Sequence, residues 1–241
     1  MTDNLWFALA IGNSRLHWAE FDRHQLKSVW DTPHLEDTSG ETRDRLGQSP
    51  LWIASVVPTQ LQLWQTLPNT RTISLEHVPL RGMYPTLGID RALVVWGAGC
   101  QLGFPILAID AGTALTFTGA NAERKLVGGA ILPGVRLQLT ALSARTAALP
   151  DIRSQPVALP KRWALDTQSA MYSGVVYGIA AAIGDFIPAW WQEFPTSSVV
   201  LTGGDRDLLW TVLSDRFPQI ADRIQLEPNL IFWGIQLIVN S

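Results

Sequence analysis

An internal repeat constrains this chain more than any other feature. Phe7-Ala8-Leu9-Ala10-Ile11-Gly12-Asn13-Ser14 lies on Leu107-Ala108-Ile109-Asp110-Ala111-Gly112-Thr113-Ala114 at an offset of 100 residues. Ala8 coincides with Ala108 and Gly12 with Gly112. Each copy is an apolar run that ends in a small-residue turn and returns as a second strand. A repeat of this kind sets the architecture before any single residue does. At 241 residues the chain has room for one or two domains. The repeat favours two, divided as 1–104 and 105–241.

The remaining pattern alternates strands with helices in both halves, which indicates an α/β protein. Strands are expected at Leu5–Ile11, Leu16–Phe21, Leu51–Val57, Pro105–Asp110, Lys125–Leu132 and Ser197–Thr202. Helices are expected at Pro58–Leu67, Asp90–Gly99, after Pro133-Gly134, at Thr167–Phe194, Asp205–Leu213 and Pro228–Val239, with a polar, proline-rich loop over Pro150–Pro160. Ala92–Ile109 and Thr167–Gly184 are charge-free and long enough to span a bilayer. Gly97, Gly99, Gly103 and Pro105 break the first, and hydroxyl residues and glycines interrupt the second. A helix buried in a core or a subunit interface is the preferred reading.

Composition narrows the function classes. With 47% hydrophobic residues the chain can bury a sizeable core. A single cysteine excludes a disulfide framework and a cysteine-based zinc site. Cys100 reads as a small core residue. A net charge of -3, without a long basic cluster, argues against nucleic-acid binding through bulk positive charge. The N-terminus has no basic residue before its apolar run, so the cytoplasm is the expected compartment. His17, His24, His34 and His77 show no paired spacing that would suggest a metal site.

Four glycine-rich turns are expected after strands: Gly12-Asn13-Ser14, Gly112-Thr113, Gly128-Gly129 and Gly203-Gly204. Such turns are ordinary hairpins, or they present successive N–H groups to phosphate oxygens, with Ser14 and Thr113 adding hydroxyls. No Walker pattern is present. Asp90, in Gly88-Ile89-Asp90-Arg91, reads either as a helix cap or as a general base beside a cation. Asp110, at a strand end before a glycine turn, reads as a turn initiator or a cation ligand.

Together these strings resemble the type III pantothenate kinases of the actin/hexokinase/Hsp70-like ATPase superfold. The matching segments are Gly12-Asn13-Ser14 (family pattern Asp-x-Gly-Asn-Thr), Gly88-Ile89-Asp90-Arg91, and Asp110-Ala111-Gly112-Thr113-Ala114-Leu115-Thr116. They continue with Gly128-Gly129-Ala130-Ile131-Leu132-Pro133-Gly134, Thr146-Ala147-Ala148-Leu149-Pro150, Asp166-Thr167, Ser173-Gly174 and Leu201-Thr202-Gly203-Gly204.

The resemblance implies a duplicated ribonuclease H-like, actin/hexokinase-like two-domain fold with a nucleotide cleft between the domains. It implies ATP-dependent phosphorylation of pantothenate to 4'-phosphopantothenate, the first step of coenzyme A synthesis, with Mg2+ and K+ or NH4+ as cofactors and a homodimeric assembly. By the resemblance Asp90 is the proton acceptor. Tyr84, Gly88, Ile89, Asp90, Arg91 and Thr167 contact pantothenate. Ala10, Ile11, Gly12, Asn13, Ser14, Arg15, Leu16, His17 and Thr113 contact ATP, and Asp110 binds the monovalent cation. Neither nucleic acid nor membrane is an expected partner. Ala10 stands where the family pattern begins with Asp, and Thr118 where an Asp often follows the second motif. The change at Ala10 motivates one alternative, a weakly active or inactive regulator similar to the Bvg accessory factor. Another kinase or phosphatase of the superfold, with a different acceptor, is a second alternative.

Overall fold

A computed structural model describes residues 4–37, 40–145 and 159–241. The Thr146–Pro150 motif and most of the proline-rich stretch lie outside the described residues. By its contacts the chain divides into two compact units. One comprises residues 1–101, 124–126 and 229–241, the other residues 102–123 and 127–228.

The first unit opens with an antiparallel meander, β1 (Leu5–Ile11), β2 (Leu16–Asp22) and β3 (Gln25–Thr32). After α1 (Glu41–Leu46), β4 (Leu51–Ser55) adds parallel to β1. After α2 (Pro58–Trp64), β5 (Thr70–Thr72) adds parallel to β4. The sheet order is β3-β2-β1-β4-β5, and α3 (Ile89–Leu102) follows.

In the second unit β6 (Ile106–Ala111) and β7 (Ala114–Ala120) form a hairpin, and β8 (Leu126–Pro133) continues the sheet. Then come α4 (Val135–Arg145) and α5 (Thr167–Glu193). Parallel β9 (Ser198–Thr202) is followed by α6 (Arg206–Arg216), α7 (Pro218–Ala221) and parallel β10 (Ile224–Leu226). The order β8-β7-β6-β9-β10 repeats the first sheet strand for strand. The chain closes with α8 (Leu230–Val239).

Seven successive apolar residues make β1 a strand because both of its faces are covered. Phe7, Leu9 and Ile11 join Leu16, Trp18, Ile53 and Trp64 in one core. Trp18 stacks on Trp30 across the hairpin at 5.8 Å and meets Trp64 edge-on at 4.8 Å, so part of the tryptophan content builds this layer. On the opposite face Trp6 stacks on Phe21 at 4.3 Å, and Phe21 meets Trp233 of α8. The division by chain order puts α8 in the second half, but by contacts it belongs with the first unit. There it crosses α3 so closely that a side chain on Gly97 or Gly234 would strike the other helix's backbone.

The second core is built on Leu107, Ile109 and Phe117, covered by Val175, Ile179 and Ile183 of α5 and Leu209 and Val212 of α6. Helix α5 is long and apolar enough to cross a membrane, yet half of its most apolar stretch is buried in the protein. It is the central helix of this core.

Two sequence expectations are corrected. Gly128 and Gly129 lie inside β8 and form no turn; the strand continues through them to Pro133. Cys100 is exposed, because the buried run of α3 stops at Gly99 and the last helical turn faces solvent.

Candidate active site

Three constellations stand at the ends of the central elements. The first is the turn after β1. Its Gly12 N–H donates to the Arg15 carbonyl at 3.0 Å, closing the loop. Ile11 and Leu16 are buried in the core, so they offer a ligand only their main chain, whereas Asn13, Ser14 and Arg15 are exposed. His34, beyond β3, reaches back to this turn. Its Nε2 lies 2.8 Å from the Gly12 carbonyl oxygen; that oxygen can only accept, so Nε2 carries the proton. His17 in β2 bonds Asp31 of β3 through Nδ1 at 2.8 Å.

The second constellation opens α3. The Gly88 carbonyl accepts the first helical bond, from Ala92 N–H at 3.1 Å, which places Asp90 within the first turn and not at the cap. An acid is favoured there by the helix dipole. Its Oδ1 accepts from the Arg91 N–H at 2.8 Å. A Cβ on residue 88 would collide with that same Oδ1, so glycine makes room for the carboxylate. Burial raises the Asp90 pKa above the ordinary 3.8, while the Arg91 N–H bond and the guanidinium charge pull it part of the way back. Arg91 is buried, and its Nη1 donates to the Tyr84 hydroxyl at 3.0 Å. Tyr84, Asp90 and Arg91, far apart in residue type but close in sequence, thus form one connected group with an exposed phenol at its edge.

The third lies in the second unit, at the end of β6. Gly112 N–H donates to the Ala114 carbonyl at 3.1 Å, and Gly134 N–H to the Thr113 carbonyl at 2.9 Å, so the turn is fixed from two sides. Gly203, at φ +92°, passes against Asp110; a Cβ there would strike both the Asp110 carboxylate and the Ala111 carbonyl. One carboxylate among main-chain carbonyls is a hard-oxygen donor set of the kind that holds a simple cation. Thr167 is the first residue of α5, whose N-cap is Asp166 accepting from Ser169 N–H at 2.8 Å; that bond lowers the Asp166 pKa. Thr167 lines a groove of about 540 Å³ with Gln138, Leu142, Met171 and Gly174. No three His, Cys, Asp or Glu side chains cluster among the described residues as a protein-only metal cage would require.

The two sheets place Ala10 and Asp110 at equivalent registers. Ala10 sits between Ala54 and His17, and Asp110 between Thr202 and Thr116. Both turns, Asp90 and Asp110 lie at the element ends where the sequence put them, whereas the hydrogen bonds of Asp31 to His17 and of His34 to the Gly12 carbonyl were not read from the sequence. Asp31 was hidden with β3, whose register the apolar pattern did not disclose.

Two units of the same strand order, each ending its central strand in a glycine turn flanked by a hydroxyl side chain, define a protein of the duplicated ribonuclease H-like, actin/hexokinase-like fold class. Solved structures agree on the fold. A Baf family transcriptional activator from Campylobacter jejuni matches with a TM-score of 0.64 at 21% identity over 97% of each chain. The ethanolamine utilization protein EutJ from Carboxydothermus hydrogenoformans matches at 0.55 and 13% identity, over 97% of this chain and 89% of that one. Within this class the chain belongs to the type III pantothenate kinase family, whose model matches residues 6–189. Type III pantothenate kinases from Nostoc sp. and Synechocystis sp. are 47% and 44% identical to it. These alignments cover 98% and 97% of this chain and 95% and 90% of the relatives.

Proposed function

We propose that the protein transfers the γ-phosphoryl group of ATP to the primary hydroxyl of pantothenate, giving 4'-phosphopantothenate and ADP, the first step of coenzyme A synthesis. Asp90 accepts the hydroxyl proton as the oxygen attacks phosphorus. The observation that carries this reading is the Asp90 constellation: a carboxylate aimed by one backbone bond, cleared by a glycine, and kept more basic than an ordinary carboxylate by burial. A base poised in this way takes a proton more readily in the transition state.

Tyr84, the Gly88–Arg91 segment and Thr167 hold pantothenate, with Arg91 supplying positive charge toward its carboxylate. Residues 10–17 and Thr113 hold ATP, chiefly through turn N–H groups and hydroxyls. Phosphoryl transfer of this kind depends on positioning and charge neutralisation more than on covalent chemistry. Mg2+ would arrive with ATP as part of the substrate and would offset phosphate charge. Asp110 holds K+ or NH4+, which offsets negative charge near the phosphates. The protein works in the cytoplasm as a homodimer. The regulator reading draws no support from the kinase names of the relatives.

The test is ADP release by purified protein with pantothenate, ATP, Mg2+ and K+, checked by identifying 4'-phosphopantothenate as the product. Light scattering checks the dimer. Absence of pantothenate-dependent turnover overturns the reading, and turnover with other alcohols but not pantothenate reassigns the acceptor.

A further inference from the structure

We propose that Gln138 is a further contact for pantothenate. Its carboxamide oxygen accepts a hydrogen bond from a donor in the middle of the substrate, and so selects for an acceptor alcohol that carries one. The inference rests on the reading of Thr167 as a pantothenate contact. It adds a residue that lies outside the segments matched to the family pattern.

The geometry begins with two helices. Val135 and Leu139 of α4 join the core built around α5, which leaves Gln138 and Leu142, one turn apart, along the seam between the helices. On α5, Thr167, Met171, Gly174 and Val175 follow at i, i+4, i+7 and i+8, so they form one stripe. Stripe and pair line the groove of about 540 Å³. Met171 and Val175 are buried and form an apolar floor, and the polar side chains of the groove are Thr167 and Gln138. A Cβ on Gly174 would meet nothing within 4 Å, so the groove is open at that point.

The carboxamide is oriented before any ligand arrives. Gln138 Nε2 donates to the Pro133 carbonyl at 2.8 Å; a carbonyl can only accept, which fixes the nitrogen end of the amide. The other end, Oε1, is an acceptor with no hydrogen-bond partner among the described residues. The same stretch of main chain holds the turn after β6. Gly134 N–H donates to the Thr113 carbonyl at 2.9 Å, Gln138 N–H donates to the Gly134 carbonyl at 3.0 Å, and a Cβ on Gly134 would strike the Gly112 carbonyl. Gln138 is thus preorganised on a backbone that is itself pinned, which lowers the cost of binding. Pantothenate suits these surfaces. Between its primary hydroxyl and its carboxylate it carries a secondary hydroxyl and an amide N–H, both donors, beside a pair of methyl groups. The donor meets Oε1, and the methyls lie on Leu142, Met171 and Val175. An alcohol without that donor leaves Oε1 desolvated and unpaired, which is the basis for discrimination.

The experiment is steady-state kinetics on the full chain with pantothenate and two analogues, one lacking the secondary hydroxyl and one methylated on the amide nitrogen. Gln138→Met keeps the side-chain length, removes the acceptor, and raises the pantothenate KM by about threefold to tenfold. The KM for ATP stays within about twofold. One analogue carries a similar penalty in wild type, and that penalty falls below about twofold in Gln138→Met, because either change removes the same bond. Which analogue behaves so identifies the donor. Gly174→Leu fills the open groove, gains helix propensity, and raises the pantothenate KM by about tenfold or more without lowering the melting temperature. A pantothenate KM in Gln138→Met within about twofold of wild type overturns the proposal, as does an analogue penalty that persists in full in that variant. A rise in the KM for ATP alone also overturns it, and assigns Gln138 to bracing the Thr113 turn. Wild-type kinetics in Gly174→Leu overturn the groove as the substrate site, and the role of Thr167 with it. Absence of pantothenate turnover in wild type overturns the kinase reading, and pantothenate dissociation constants measured by calorimetry on the same variants then decide the role of Gln138.

Discussion

At the scale of single residues, Asp90 sets function against stability. Burial is the largest influence on its carboxyl and raises the pKa, so the folded protein favours the protonated form over the charged one. The stability this contributes is complete below about pH 3.8 and is lost as pH rises through the folded-state value. At neutral pH the charged carboxylate is a net cost to the fold. Asp90→Asn is therefore expected to lower kcat by about 10²–10⁴ while leaving the melting temperature unchanged or higher. A loss of less than tenfold, or a clear drop in melting temperature, contradicts this account. The same environment predicts the pH profile. Activity should fall on the acid side with a midpoint above the ordinary carboxylate value of 3.8. Arg91→Gln removes an influence that lowers the pKa, so it should move that midpoint further up. A rate–pH series on both proteins measures the shift directly, and a midpoint that moves down would show that Arg91 acts mainly through Tyr84.

At the scale of elements, what the sequence disclosed depended on how strongly each segment was patterned. β1 is a continuous apolar run, β6 and β9 carry apolar runs over Ile106–Ile109 and Val199–Leu201, and α5 has 27 residues, so they were legible. β3 was not: Gln-Leu-Lys-Ser-Val-Trp-Asp-Thr alternates exposed with half-buried positions and never shows a fully buried face. It lies at an edge and is held by pairing to β2, not by its own apolarity. β5, β10 and α7 span three or four residues, too few to carry a period. Missing β3 hid the pairing of His17 with Asp31, so the first glycine turn was readable only as a backbone motif. The place of α8 was hidden for another reason, since chain order says nothing of the close crossing between Gly97 and Gly234. That crossing makes a paired prediction. Gly234→Ala gains helix propensity but drives a Cβ into the Leu93 carbonyl, and is expected to destabilise by about 1–3 kcal/mol. Gly178→Ala, on an exposed face of α5 with open space around it, is expected to stabilise by about 0.5–1 kcal/mol. Urea midpoints of the two variants should move in opposite directions.

At the scale of the whole molecule, the chain is one strand order used twice, and its two copies have diverged in charge at the same register. The glycine offset of 100 residues announced the duplication, and the sheets match it strand for strand. In the second copy the central strand holds Asp110 near its end, between Thr202 and Thr116. In the first it holds Ala10 between Ala54 and His17, with Asp31 one strand further along the row. The two rows thus carry their carboxylates on different strands, Asp110 on β6 and Asp31 on β3. Restoring the acid tests whether this divergence is a loss or a substitution. Ala10 is 2% exposed, so a carboxylate there would be desolvated unless it found the His17 ring. If the first copy has merely decayed, Ala10→Asp should raise kcat and reduce the Mg2+ needed for half-maximal rate. If the first copy no longer has room for an acid, the new carboxylate is buried beside the His17 ring and repels the nucleotide proposed to bind residues 10–17, and the KM for ATP should rise about tenfold or more. The second outcome is expected. A higher kcat with an unchanged KM for ATP in Ala10→Asp overturns that expectation.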